Sequence, residues 1–260
     1  MALTGDGKRV AFLAGSESGE RIVCLGDRVL ADPRGNVEWP LALTVDGGVV
    51  ACQVTDPGTG KSCIAIDGRH GELYDSVGTP RLSANGSTVA YRARRGESHF
   101  VVVGTRAGPP FDFVKDPALT PGGESVAYAA ARGGRWFLVV DRTELAVAAE
   151  PIDVFLGPDR DCLGWTYLEL SPTGSSKARV VTRGRTGPAF DLVGRPTFSP
   201  DGSSVAYFAE EGDKHYVVVG DRATEVDGQL SDPVFSRDGT RVGYGARIGK
   251  ELWWKVLTCR

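Results

Sequence analysis

The chain has 260 residues, 41% hydrophobic and 24% charged, with 35 glycines and a formal net charge of −3. These are globular proportions, and so small a charge gives no electrostatic drive toward nucleic acid or an anionic membrane surface. No apolar run approaches the ~20 residues of a membrane-spanning helix.

Met1 to Lys8 lack the basic start and apolar core of a signal peptide. The cytoplasm is therefore the expected compartment, or the periplasm if the chain is a trimmed piece.

From the N-terminus onward one phrase recurs seven times, most fully as Pro196-Thr-Phe-Ser-Pro-Asp-Gly-Ser-Ser-Val-Ala-Tyr207. Aligned on its turn glycine, the copies fall at Gly7, Gly47, Gly86, Gly123, Arg160, Gly202 and Gly239, with gaps of 40, 39, 37, 37, 42 and 37 residues. The phrase reads as strand, turn, strand: Pro presets the φ a tight turn wants, and Gly supplies a positive φ. A period of about 40 residues is one blade of a β-propeller. The expected units are 1-39, 40-79, 80-116, 117-153, 154-195, 196-232 and 233-260, all in a single domain.

Within each unit the strand after the turn has a small residue at its centre: Ala11, Ala51, Ala90, Ala127, Gly164, Ala206 and Gly243. The next residue is bulky in six copies: Phe12, Tyr91, Tyr128, Trp165, Tyr207 and Tyr244. Neighbours in a strand point to opposite faces, so each sheet has a small face and a bulky face able to stack on its neighbours. A third, apolar strand follows, as in Phe100-Val-Val-Val103 and Tyr216-Val-Val-Val219. The nine-residue spacing of Tyr91 and Phe100, repeated at Tyr128/Phe137 and Tyr207/Tyr216, predicts facing aromatic pairs. A weaker outer strand is marked by Tyr74-Asp75, Phe111-Asp112 and Phe190-Asp191.

The predicted fold is all-β, a seven-bladed β-propeller of four-stranded antiparallel blades. The Ser-Pro-Asp-Gly phrase with Val-Ala-Tyr resembles the WD40-like repeats of TolB-type propellers, over nearly the whole chain. Similar propellers cap serine peptidases of the prolyl oligopeptidase kind, so the resemblance implies a fold and leaves activity open.

Met1 starts inside the first innermost strand and Arg260 follows the last third strand. The seventh blade is therefore expected to lack its outer strand, with an exposed edge at Trp254 to Leu257 that dimerises or is covered. Otherwise a monomer is expected.

Candidates for chemistry are few. Cys24, Cys52, Cys63, Cys162 and Cys259 are odd in number and lack metal-ligand spacing. Cys52 and Cys63 take the positions of the facing aromatics, which leaves two buried thiols or, less favoured, a bridge. Gly15-Ser-Glu-Ser-Gly19 lacks the strand-to-helix setting of a nucleophile elbow. His99 and His215 hold equivalent, solvated strand positions. Asp75, Asp112, Asp191 and Asp227, like the turn residues Asp6, Asp46, Asp201 and Asp238, repeat from unit to unit, as expected for a repeated hydrogen-bonding job.

Function is sought where the copies differ. The fifth unit has Pro158-Asp-Arg-Asp161, Trp165, Tyr167 and a long loop from Leu168 to Ala178, while the second has the loop Asp56 to Lys61 and Trp39. Arg92, Arg94, Arg95, Arg132 and Arg135 form a basic arc set against Glu210, Glu211 and Asp213. The expected function is a non-catalytic binding or scaffolding module for another protein, with no cofactor or metal and no contact with nucleic acid or membrane. The alternatives are a small-ligand site at the channel mouth near Trp39, Trp165 and Tyr167, and a lactonase-like hydrolase.

Overall fold

The computed structural model describes residues 2–3, 10–15, 21–26, 28–29, 36–44, 46–170, 174 and 176–259. The chain divides into two compact units, Met1–Ala146 and Val147–Arg260. Described strands form four antiparallel sheets in the first and three in the second, one for each predicted blade. No helix is assigned among the described residues.

A proline shapes the inner edge of most blades, because it cannot donate to a ladder. In blade three, Ser76–Val77 and Arg81–Leu82 both pair with Val89–Arg95, and Pro80 lies at the break. Pro117, Pro196 and Pro233 interrupt the inner strands of blades four, six and seven in the same way. In blade two the strand Asn36–Leu43 runs through Pro40 at the cost of a register shift between Glu38 and Ala42. The crossover thus enters each of blades three, four, six and seven about four residues before the repeat phrase begins.

The stacking of bulky on small faces is present within each unit. Tyr91 packs with Ala51 and Ile64 of blade two, and Tyr128 with Ala90 and Val101 of blade three. In the second unit Tyr207 joins Phe155 and Val180 of blade five, and Tyr244 joins Ala206 and Val217 of blade six. Phe12 departs from the pattern at 38% exposure.

Register corrects the predicted aromatic pairs. Two-residue hairpin loops pair Arg95 with Ser98, which sets Tyr91 opposite Val102 and Phe100 opposite Ala93. Tyr128 faces Val139 and Tyr207 faces Val218 by the same count. A nine-residue spacing therefore makes diagonal neighbours on one face. The aromatics meet through the preceding blade: Tyr74 lies 5.5 Å from Phe100 and 6.4 Å from Tyr91.

The same offset puts Cys52 opposite Ala65 and Cys63 opposite Val54, and both residues are buried and not joined in a disulfide. Burial, and then the neighbouring Cys63, push the Cys52 thiol up to about 11.

The outer strand is also revised. In blades two and three it is the dipeptide Arg69–His70 or Arg106–Ala107, and Tyr74 and Phe111 extend the edge through isolated bridges to Ser62 and His99. Blade five has the continuous strand Arg185–Phe190. The predicted long loop there is a lengthened hairpin, since Leu163–Leu170 and Ser176–Thr182 stay paired out to Leu170 and Ser176. In blade seven Glu251–Thr258 pairs with Arg241–Ile248 and with no other described strand, and Trp254 is 67% exposed.

The repeated acids carry repeated bonds. Asp75, Asp112 and Asp191, each at the outer edge of one blade, accept from the amides of Gly96, Gly133 and Gly212 in the hairpin turn of the next, at 2.7, 2.7 and 2.8 Å. In the phrase turn, Gly202 takes φ 68° while Asp201 Oδ1 accepts from the Ser199 hydroxyl at 2.6 Å and the Ser203 amide at 3.0 Å. Asp238 does the same with Ser236 and Thr240, and Asn85 with Ser83 and Ser87. Where Arg160 replaces the glycine, Asp159 caps the Asp161 and Cys162 amides, and Arg160 takes no positive φ. Asp6 and the Gly15–Gly19 motif beyond Gly15 lie outside the described residues.

The Ser199 and Ser236 hydroxyls, followed by the turn amides, hold Asp201 and Asp238 down to about 2. A carboxylate whose folded pKa lies below its unfolded value stabilises the fold above the unfolded pKa, and that contribution is lost as pH falls through the folded pKa. The thermal midpoint is accordingly expected to drop between about pH 4 and pH 2, and less steeply in the Asp201→Asn/Asp238→Asn double variant. An unchanged slope in the variant would remove these two groups from the account.

Candidate binding face of blades three and four

Alternation along Val89–Arg95 sends Arg92 and Arg94 to the face that carries Ala90, beside Val101 and His99 of the partner strand. That face turns toward blade four, as the cluster of Ala90 and Val101 with Tyr128 shows. The Arg92 Nε donates to Asp116 Oδ1 at 2.7 Å, and Arg94 Nη1 to the Gly96 carbonyl at 3.3 Å. A recess of about 140 Å³ lies between Arg92, Arg94, His99, Ser76 and Gly78. Gly78 keeps it open, because a Cβ there would collide with the Arg92 side chain.

From the recess an aromatic strip crosses to blade four. The His99 ring lies 5.7 Å from Phe113, and Phe113 lies 6.2 Å from Trp136 in an edge-on contact. Phe113 and Trp136 both pair with Ala131, which places them on one face of the two strands that flank it. Lys115 Nζ sits 5.2 Å from the Trp136 ring centre, within cation–π range. Burial, and then the charges of Arg94 and Arg92, lower the His99 pKa from its ordinary value and so favour the neutral imidazole.

The five arginines of the predicted arc separate into two groups. Arg95 and Arg132 hold equivalent hairpin positions and serve as straps between blades or along an edge. Arg95 ion-pairs with Glu72 at 2.7 Å and lies over Tyr74; Arg132 pairs with Glu144 at 2.9 Å and lies over Phe111. Exposed pairs of this kind contribute about 0–1 kcal/mol. Arg92 and Arg94 belong to the face just described, whereas the exposed Arg135 pairs with Arg132 and so lies on the opposite face of its strand from Trp136.

Trp165 and Tyr167 stack at 5.0 Å in the second unit. The side chain of Trp39 lies outside the described residues. In the predicted acidic group, Glu211 is held by Lys177 at 2.6 Å, and Glu210 lies 3.8 Å from the His215 ring.

Phe113, Lys115 and Trp136 were not singled out from sequence, and His99 was read only as a solvated strand position. A comparison of copies carries the signal: Phe113 stands where other units have Ser76 and Leu192, and Trp136 where they have His99 and His215. Among the described residues no cluster of three or more His, Cys, Asp or Glu is placed to hold a metal ion.

No family model matches the chain, and no curated protein matches it. Solved structures do. Prolyl oligopeptidase B from Galerina marginata matches with a TM-score of 0.56 at 10% identity, over 95% of this chain and 46% of that one. The β-propeller domain of the Trilobed protease from Pyrococcus furiosus, described as having an open velcro topology, matches at 0.53 and 11% identity, over 86% and 82%. TolB from Acinetobacter baumannii matches at 0.45 and 17% identity, over 80% and 57%. The chain spans about half the length of the peptidase and little more of TolB. With seven sheets of antiparallel strands among its described residues, the chain is an all-β protein of the β-propeller class.

Proposed function

We propose that the chain is a non-catalytic binding module whose blade three and four face engages an acidic segment of another protein. One observation carries this reading: the Arg92, Arg94, His99, Phe113 and Trp136 strip joins guanidinium groups to accessible rings at positions the repeat leaves variable. Aromatic and arginine side chains dominate the energetics of protein interfaces. A carboxylate fits beside two arginines, and a ring or aliphatic side chain of the partner fits against Phe113, which is 39% exposed. The propeller neighbours include enzymes and TolB alike, and the fold accommodates either kind of role.

The test pans short acidic peptides displayed on phage against the chain, then measures the selected peptides by fluorescence anisotropy. Binding is expected to weaken about tenfold or more in Arg94→Glu and in Trp136→Ala, and to fall as salt rises. Equal binding by folded variants, checked by thermal midpoint, would exclude this face.

A further inference from the structure

We infer that a separate site between the fifth and sixth blades takes a small hydroxylated carboxylate of sugar size. A recess of about 440 Å³ opens there, within the roughly 300–1,000 Å³ of small-molecule pockets. Its wall includes Arg183, Arg185, Thr186, Ser204, Tyr207 and Asp221.

Arg183 is the first departure from the repeat. The turn before the outer strand needs a left-handed residue, supplied by Gly104 and Gly220 in blades three and six and by Asp67 and Asp141 in blades two and four. The two aspartates use their carboxylates to hold the Val50 and Val126 amides, both at 3.0 Å. Blade five places an arginine there at φ 50°, a conformation unusual for any residue other than Gly, Asn or Asp. Strained residues of this kind concentrate at ligand sites. The Arg183 guanidinium donates to the Gly202 carbonyl and to Cys162 Sγ, which pins it at the edge of the recess.

Tyr207 supplies a further polar group to the same recess. Its side chain is 1% exposed and lines the recess, and its hydroxyl makes no hydrogen bond to any described residue. Tyr91 and Tyr128 have the same unpartnered hydroxyl, so this one adds a donor to the recess while the arginines beside it set the site apart. Gly187 keeps access to it: a Cβ there would lie 3.3 Å from the phenol oxygen. The side chains of Arg185, Thr186, Ser204 and Asp221 likewise have no hydrogen bond or ion pair to described residues.

Charge selects the ligand. Two guanidinium groups suit one carboxylate, while Asp221 accepts from a ligand hydroxyl and opposes a second negative charge. The corresponding recess between blades two and three, about 660 Å³ with Tyr91 in its wall, has Asp67 in place of Arg183 and so offers one arginine, Arg69, in place of two.

Calorimetric titration of the chain with glucuronate, glucose and glucose 6-phosphate tests the inference. Glucuronate is expected to bind about tenfold or more tighter than either of the others. Arg183→Gly, which suits the left-handed turn, and Tyr207→Phe, which keeps the packing, should each weaken glucuronate by about tenfold, with thermal midpoints confirming folded protein. Arg69→Gln in the other recess should change nothing. The inference is overturned if glucuronate does not bind, if glucose or glucose 6-phosphate binds as tightly, or if both folded variants bind like wild type.

Discussion

Tyr128→Ala is expected to lower the free energy of unfolding by about 3–5 kcal/mol, read as a fall in the urea midpoint. The ring is 2% exposed and packs edge-on against Phe111 at 6.2 Å, in the cluster that joins blade three to blade four. Its removal leaves a cavity lined by Ala90, Val101 and Val139, whose strands are fixed by their ladders and cannot collapse into it. Tyr128→Phe is the companion measurement. The hydroxyl has no hydrogen-bond partner among the described residues, so its loss should cost less than about 1 kcal/mol. Similar losses in the two variants would mean that the hydroxyl, and not the packed ring, joins the blades.

Gly202→Val is the second large effect, expected at about 2–4 kcal/mol. Two causes add. At φ 68° a β-branched residue is strained, and a Cβ would run into Cys162 Sγ while lying 3.1 Å from Pro158. Gly212→Ala separates these causes: φ is 58° there and nothing lies within 4 Å of the added carbon, so only the backbone cost of about 1 kcal/mol remains. Equal losses at the two glycines, measured by thermal or urea unfolding, would show that the contact with the neighbouring turn contributes nothing.

The repeat was legible because its signals are local. A Pro-Asp-Gly turn and a small-then-bulky alternation act within a few residues, and both reappear as built. Register was misread because it depends on the hairpin loop: the Arg95 to Ser98 closure moves the partner of Tyr91 two residues past Phe100. Arg95 and Arg132 looked like surface charge because their anchors, Glu72 with Tyr74 and Glu144 with Phe111, come from other strands at separations that no spacing rule covers. The strip from His99 to Trp136 escaped for the same reason, since it exists only once two blades are side by side.

The aspartates at the outer edges give the array a direction. Asp75, Asp112 and Asp191 each reach forward to a turn amide in the following blade, at Gly96, Gly133 and Gly212. Unfolding of a blade therefore strips a hydrogen bond from the turn of its successor while leaving the turn of its predecessor capped. Nearest-neighbour coupling in a stacked repeat need not be symmetric. Here local opening of blade two loosens the tip of blade three, and opening of blade three loosens the tip of blade four, where Arg135 and Trp136 begin the next strand. Hydrogen exchange would register this as protection lost in sequence order, from the N-terminal blade of each series toward the C-terminal one.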